Sequence, residues 1–242
     1  MTNKRQTATN LRVFFDPFIR LTFPTLTFQR LVLQPAGLCD ADRVLDLGCG
    51  TGSLAIFIKR LHPKTEVFGL DVDTDILEIA KAKALRKGVS INFKQAPASD
   101  LPFPDASINH IFSTLMFHEL DPKQKRQTLN ESLRVLCPDG TLHIADFGKP
   151  ANWLMRLALG VIRLSHRPDT LADNLKGTFP HFIREAGFEE VEERSHVSSL
   201  FGTISIWRAK KSAMPDAIPD PIFVTQTAKP ELKEREHHYE KN

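Results

Sequence analysis

Cysteine is scarce in this chain, with three in 242 residues, at Cys39, Cys49 and Cys137. So small, odd and widely spaced a set builds neither a disulfide framework nor a metal site, and it favours a reduced, cytoplasmic setting. Long apolar runs are missing too. No stretch approaches the roughly 18–20 residues that span a bilayer, and Met1–Gln6 leads into no apolar core of signal-peptide type. Charge of one sign is not in excess. The formal net charge is +3 with the bases spread along the chain, which argues against nucleic acid as a partner. There is no internal repeat. No metal ligand set is apparent, since the pair His237-His238 has no supporting ligands around it.

What remains is ordinary globular material, 41% hydrophobic and 25% charged, with strand and helix patterns in alternation from Arg43 onward. Val44–Leu47 is a short apolar run of the kind buried on both faces of a parallel sheet. Ser53–Leu61 reads as a helix, Glu66–Leu70 as a second strand ending at Asp71. Asp73 or Thr74 caps a helix carrying Ile76, Leu77, Ile79, Ala80, Ala84 and Leu85 at helical spacing, and Gly88 sits at its C′ position. Ser90–Lys94 and Ile108–Ser113 are further strands. Asp121-Pro122 opens a helix that runs to about Leu136, where the turn Cys137–Gly140 stops it. Thr141–Phe147 is the fifth strand. A helix over Thr178–Ala186 and strands over Glu190–Val197 and Thr203–Ala209 complete the pattern, that of a doubly wound, mostly parallel α/β sheet.

Two extensions flank this domain, which spans residues 41–211, and an insert lies within it. Residues 1–40 form an N-terminal helical segment in which Thr25–Gln34 turns Phe28, Leu31 and Val32 inward, as packing or as a lid. Residues 150–180 form a helical insert in which Arg156, Gly160, Arg163 and Arg167 share one face of an otherwise apolar stretch. That insert suits a pocket lid, a packing helix or peripheral membrane contact. Residues 212–242, rich in proline and charge, read as a disordered tail.

The most informative stretch is Val44-Leu45-Asp46-Leu47-Gly48-Cys49-Gly50-Thr51-Gly52. Alternate glycines allow a tight turn and close approach of a ligand to the backbone, and the following helix turns its N-terminus toward the same point. A dinucleotide loop would place a third glycine at position 53, which here is Ser53, and a Walker loop would supply Lys and Ser/Thr. Neither is present. Asp46 at the strand end repels a pyrophosphate but attracts a cation such as an amino group or a sulfonium. Asp71 ends the second strand, where a carboxylate accepts from ribose hydroxyls. The combination favours a nucleoside without phosphates, S-adenosylmethionine, over a nicotinamide cofactor.

These residues resemble motif I and the acidic loop of the class I S-adenosylmethionine-dependent methyltransferases. Leu101-Pro102-Phe103-Pro104-Asp105 and Leu133–Thr141 extend the resemblance, although Cys137 and Asp139 replace the usual lysine and glycine. Asp146-Phe147-Gly148-Lys149-Pro150 is similar to the fifth-strand end of the ubiquinone/menaquinone-biosynthesis C-methyltransferases. The resemblance implies a Rossmann-like seven-stranded sheet with the last strand antiparallel. It also implies a cofactor site built from Asp46 at the methionine amino group and from Gly48, Cys49, Gly50, Thr51 and Gly52 in the loop, Thr51 lying near the carboxylate. Asp71 falls at the ribose, Val72 at the adenine, Ala98 and Ser99 in the next loop, and Thr114 after the fourth strand. Pro97 stands where the family usually offers an adenine acceptor, so Ser99 or Asp100 takes that role or the adenine is held less specifically. Asn109 replaces a common aspartate and reads as a structural hydrogen-bonding residue.

For the acceptor, His118 lies just past the fourth strand at the carboxyl edge of the sheet, where open α/β sheets bind ligands. It is the candidate catalytic base, with a structural loop histidine as the competing reading. His110 and His143, inside strands, read as structural. The aromatic N-terminal segment and the apolar insert favour a small lipophilic acceptor. Carbon methylation of a quinol-type ring is the first reading and N-methylation of a phospholipid head group the second. A non-catalytic S-adenosylmethionine-binding regulator is the reading from another class.

Overall fold

The computed structural model describes residues 25–34, 36–149, 173, 177–199 and 202–213. Residues 1–24 of the N-terminal segment, the insert over 150–180 apart from Asp173 and its last residues, and the tail beyond 213 lie outside them. The elements are α1 (Thr25–Leu33), β1 (Arg43–Leu47), α2 (Ser53–Leu61), β2 (Glu66–Asp71), α3 (Thr74–Arg86), β3 (Asn92–Gln95), β4 (Ile108–Thr114), a 3-10 turn (Phe117–Glu119), α4 (Pro122–Val135), β5 (Leu136–Phe147), α5 (Phe179–Glu185), β6 (Glu189–Ser199) and β7 (Gly202–Lys210).

The strands pair in the order β3-β2-β1-β4-β5-β7-β6. The first five run parallel, and β7 lies antiparallel between β5 and β6. This is the doubly wound, seven-stranded sheet expected from the alternation and the resemblance. One apolar cluster holds Phe28 and Val32 of α1 with Leu54, Ala55 and Ile58 of α2 and Val44 and Phe112 of the sheet. A second gathers Leu129 and Val135 of α4 with Phe179, Phe182 and Ile183 of α5 and Leu45, Ile111 and Leu142 of the sheet. Helix α1 therefore buries Phe28 and Val32, with Leu31 packed beside them, as the spacing predicts.

Local chemistry sets the ends. Asp73 caps α3 by accepting from Asp75 N and Ile76 N. Asp121 and Gln124 form a reciprocal capping box on α4, with Pro122 in its first turn. In three places the structure departs from the pattern. Strand β3 begins at Asn92 rather than Ser90. On α3 the apolar spacing is only partly used, since Ile76, Leu77, Ala80 and Ala84 are buried while Ile79 and Leu85 are exposed. The predicted turn over Cys137–Gly140 is absorbed into β5: Leu136 already pairs with Ile108, and the ladder resumes at His110↔Thr141 after an irregularity. Asp139 takes up the extra length in the left-handed region at φ 62°.

Chain order reverses between β1 and β4, neighbours in the sheet whose onward connections leave in opposite directions. That reversal opens a crevice at their carboxyl ends. The loops that follow these two strands are Gly48–Gly52 and Leu115–Leu120.

Candidate functional site

The loop after β1 is held from below. Gly48 N and Cys49 N both donate to Leu70 O, at 2.8 and 2.9 Å, so a carbonyl next to the end of the neighbouring strand anchors the turn. Asp71 anchors it from the side, its Oδ2 accepting from Gly50 N at 2.9 Å and its Oδ1 from Asp73 N at 3.0 Å. Two glycines show why side chains are excluded. Gly48 sits at φ +71°, and a Cβ there would lie 2.7 Å from Met116 Cγ; Gly50 sits at φ +51°, and a Cβ there would meet nothing within 4 Å. The first is packed and the second faces open space.

Asp46 lies beneath this loop with no exposure to solvent. Its Oδ2 accepts from Ala55 N in the first turn of α2 at 3.0 Å. Its Oδ1 is buried and, among the described residues, has no hydrogen-bond partner. Burial pushes the carboxyl from 3.8 to about 7, opposed by the Ala55 N–H and assisted by the negative charge of Asp71. The Cys49 thiol, also buried, is pushed far up by its burial and by Asp46 and Asp71, so it stays protonated.

The rest of the predicted cofactor set lies at the end of β4 and on the segments that follow β1, β2 and β3. Thr51 is buried, and Lys83 of α3 reaches across to it, donating to Thr51 Oγ1 at 3.1 Å and to Ser53 Oγ at 2.5 Å. Gln29 of α1 donates to Ser53 O at 3.2 Å, which ties the N-terminal helix to the mouth of the loop. Val72, just past β2, is 59% exposed, an apolar side chain facing outward beside the loop. Ala98 and Ser99 are half-buried in the segment after β3, which begins with Ala96 N donating to Asp71 O at 3.2 Å. Thr114 is half-buried at the end of β4. Lys83 was not foreseen from sequence. Its only signal was a position on the helix that follows the acidic strand end.

Leaving β4, the chain turns sharply at Leu115, at φ +54°, with Leu115 N donating to Ala145 O at 2.8 Å. Met116 then packs on Gly48, which brings the 3-10 turn that carries His118 against the glycine loop. His118 is buried. Its backbone N donates to Asp146 Oδ2 at 3.1 Å, and its ring Nδ1 meets Asp146 Oδ1 at 2.9 Å. Phe147 lies edge-on to the ring at 4.9 Å. Burial pulls the imidazolium down, but Asp146, through its charge and its hydrogen bond, and Glu119 outweigh burial and the opposing charge of Lys125. The net shift is above the ordinary histidine value.

Two further charges close the cluster. Lys125 of α4 has no exposed surface, pairs with Asp173 Oδ2 at 3.4 Å and lies 6.0 Å from the centre of the Phe179 ring. Burial holds its ammonium below the usual lysine range, although Asp173, Asp146 and Asp121 all oppose that shift. Asp146, unassigned from sequence, becomes a partner of His118 because β4 and β5 are adjacent and end side by side.

His110 and His143 form a separate chain lower in the sheet. His110 Nε2 lies 3.2 Å from Asp42 Oδ2, His110 Nδ1 lies 2.7 Å from Thr141 Oγ1, and Thr141 Oγ1 lies 2.8 Å from His143 Nε2. Asn109 Oδ1 accepts from Arg43 N at 2.9 Å, the structural bond expected of it. Among the described residues no group of three histidines, cysteines or acids is arranged to hold a metal ion, and no helix is long and apolar enough to cross a membrane.

Comparisons with known proteins agree with this geometry. A family model described as a methyltransferase domain matches residues 44–140. The ubiquinone/menaquinone biosynthesis C-methyltransferase UbiE of Pseudomonas putida (strain GB-1) is 34% identical over 194 residues, covering 72% of this chain and 75% of that one. UbiE of Pseudomonas fluorescens (strain SBW25) is 36% identical over 131 residues, 53% of this chain and 50% of that one. Matches to these relatives thus span between half and three quarters of their length. A Bacillus halodurans protein described as a putative methyltransferase superimposes with a TM-score of 0.62 at 20% identity, over 76% of this chain and 99% of its own. The [4+2]-cyclase SpnF superimposes with a TM-score of 0.61 at 21% identity, over 77% and 81%. Fold alone therefore does not set the reaction.

Proposed function

The chain belongs to the class I S-adenosylmethionine-dependent methyltransferases, resembling the ubiquinone/menaquinone biosynthesis enzymes among them, and on that premise we propose that it methylates a ring carbon of a small, lipophilic, quinol-type acceptor with His118 as the base. When bound, S-adenosylmethionine supplies an electrophilic methyl group on a sulfonium that carries its own leaving group.

The donor site fits the cofactor. Among the described residues Asp46 Oδ1 is buried and unpartnered, as an ammonium ligand requires, and its carboxyl near 7 ionises readily once a cation is beside it. In this reading Asp46 takes the amino group, and Gly48, Cys49, Gly50, Thr51 and Gly52 present backbone to the methionine, with Lys83 near its carboxylate. Asp71 takes the ribose, while Val72, Ala98 and Ser99 flank the adenine and Thr114 lines the crevice. Asp71, whose carboxylate oxygens accept from Gly50 N and Asp73 N, has the acceptor chemistry that a ribose hydroxyl calls for.

One observation carries the choice of acceptor, the buried His118–Asp146 pair packed against the donor loop through Met116. A ring carbon becomes a good nucleophile when a neighbouring hydroxyl loses its proton, and a base poised there has a task. A head-group ammonium needs only to lose a proton to solvent before its nitrogen offers a lone pair, so N-methylation asks less of a positioned base than carbon methylation does. The sequences of the N-terminal segment and of the insert, where Arg156, Gly160, Arg163 and Arg167 recur at helical spacing in an otherwise apolar stretch, suit a lipophilic acceptor in composition.

The test is transfer of labelled methyl from S-adenosylmethionine into a lipid-soluble and a water-soluble extract, with the product identified by mass spectrometry. A carbon-methylated, ring-hydroxylated product in the lipid phase is the expected result. Label confined to an amine-bearing head group overturns the reading. His118→Gln is expected to lower kcat by at least about 100-fold, the usual worth of a general base, with cofactor affinity unchanged.

A further inference from the structure

We propose that Asp146 is a positioning residue that fixes His118 in a single tautomer and ring orientation, with the proton on Nδ1 and the lone pair of Nε2 turned to the acceptor. The proposal rests on the reading of His118 as the base.

Hydrogen-bond accounting around Asp146 leads there. Three donors converge on this one buried side chain: His118 N on Oδ2 at 3.1 Å, and Phe147 N at 2.7 Å together with His118 Nδ1 at 2.9 Å on Oδ1. Two of the three are backbone N–H groups, which only donate, so both oxygens are committed as acceptors. The third partner, Nδ1, must then bring its own hydrogen. In a neutral imidazole the lone pair is left on Nε2, which has no hydrogen-bond partner among the described residues. The ring has little freedom to escape this arrangement. Its side chain is 5% exposed, Phe147 stands against it at 4.9 Å, and the backbone bond to Oδ2 holds its own main chain to the same carboxylate.

The surroundings place the turn as well as the ring. The left-handed Leu115 and the contact of Met116 with Gly48 fix where the turn begins, and the reach from β5 to the 3-10 turn is set by the pairing of Thr114 with Ala145. The charged groups that face the ring are Asp146 from β5, Glu119 from its own turn and Lys125 from α4. On proton transfer the acceptor O–H bond breaks, an Nε2–H bond forms, and Asp146 carries the counter-charge of the imidazolium without itself taking the proton. The rate therefore rises with pH through the midpoint of the pair, since the imidazolium form has no lone pair to offer. With the midpoint above the ordinary histidine value, that rise lies on the alkaline side of it.

A carboxylate that merely gathers backbone N–H groups would keep the loop in place and leave the tautomer free, so the tautomer is the discriminating readout. Long-range 15N–1H correlation spectra of the full chain labelled at histidine, with His118 assigned by its loss in His118→Gln, report which nitrogen is protonated. The expected result for the unaltered protein is Nδ1–H in the neutral form. In Asp146→Asn the amide NH2 opposes one of the donors, and the expected result is a titration midpoint moved to lower pH and a shift toward the Nε2–H form. Its kcat should fall by about 100-fold or more, while KM for S-adenosylmethionine stays within about twofold. An Nε2–H tautomer in the unaltered protein overturns the proposal, and that measurement needs no variant to fold. Unchanged kcat and pH profile in Asp146→Asn also overturn it. Full activity in His118→Gln instead sinks the base itself, a separate failure from that of the tautomer assignment.

Discussion

An aspartate without solvent contact and with one unpaired oxygen, as Asp46 has, is held uncharged until something positive arrives. With its carboxyl raised from 3.8 to about 7, the folded protein binds a proton there that the unfolded chain has lost. The stabilisation this gives is full below 3.8 and disappears as pH rises through about 7. An ammonium beside Oδ1 reverses the preference. Cofactor binding at about pH 6.5 should therefore release a substantial fraction of a proton, measurable by titration calorimetry in buffers of different ionisation enthalpy. Asp46→Asn should bind more weakly and release none. Gly48 offers a second test at this scale. Gly48→Ala meets both a left-handed φ of +71° and Met116 at 2.7 Å, and should cost roughly 1–3 kcal/mol. Adding Met116→Ala should relieve the contact but not the backbone, so thermal melts should show only partial recovery.

Helix α4 shows how two motifs that resembled a family in sequence are one structural device. Arg134 donates to Phe103 O at 2.9 Å and Leu101 O at 3.0 Å, and pairs with Asp105 and Glu131 at 2.7 Å each. Glu131 in turn accepts from Leu101 N at 2.8 Å. The helix thus grips the loop over 101–105 by its backbone, and Leu101 and Phe103 are pressed into the core. A lysine cannot serve that many acceptors, so Arg134→Lys should lower unfolding free energy by about 1–2 kcal/mol in urea titrations, screened because the guanidinium is partly exposed. Elements of this kind were legible in part. Caps, helix stops and the alternation located nearly every strand and helix because they are local. The start of β5 was not legible, because pairing of Leu136 with Ile108 is a contact across the sheet that overrides the turn residues Pro138, Asp139 and Gly140.

At the scale of the whole molecule, the interior position of β5, paired with β4 on one side and β7 on the other, buries His143 completely. Burial first, then the positive charges of His110, Arg208 and Arg194, push its imidazolium down to about 3. The unfolded chain takes up that proton near 6.5 and the folded chain does not. Stability is thus unaffected above about 6.5 and falls by about 1.4 kcal/mol per pH unit below it until about 3. Unfolding titrations from pH 7 to pH 5 should register a loss of about 2 kcal/mol from this group, and His143→Gln should flatten the curve.

The sequence by itself determined the donor half of this protein. The glycine loop, Asp46 before it and Asp71 one strand later are fixed by spacing along the chain, and a strand–loop–helix unit brings such near neighbours together whatever surrounds it. Only the tertiary structure decided the partner of the proposed base. Asp146 lies 28 residues beyond His118, and they meet because β4 and β5 end side by side in the sheet. Lys83 at the loop and Met116 over Gly48 have the same origin. Local spacing carries the backbone chemistry of a loop; which side chains converge on it is a property of strand order.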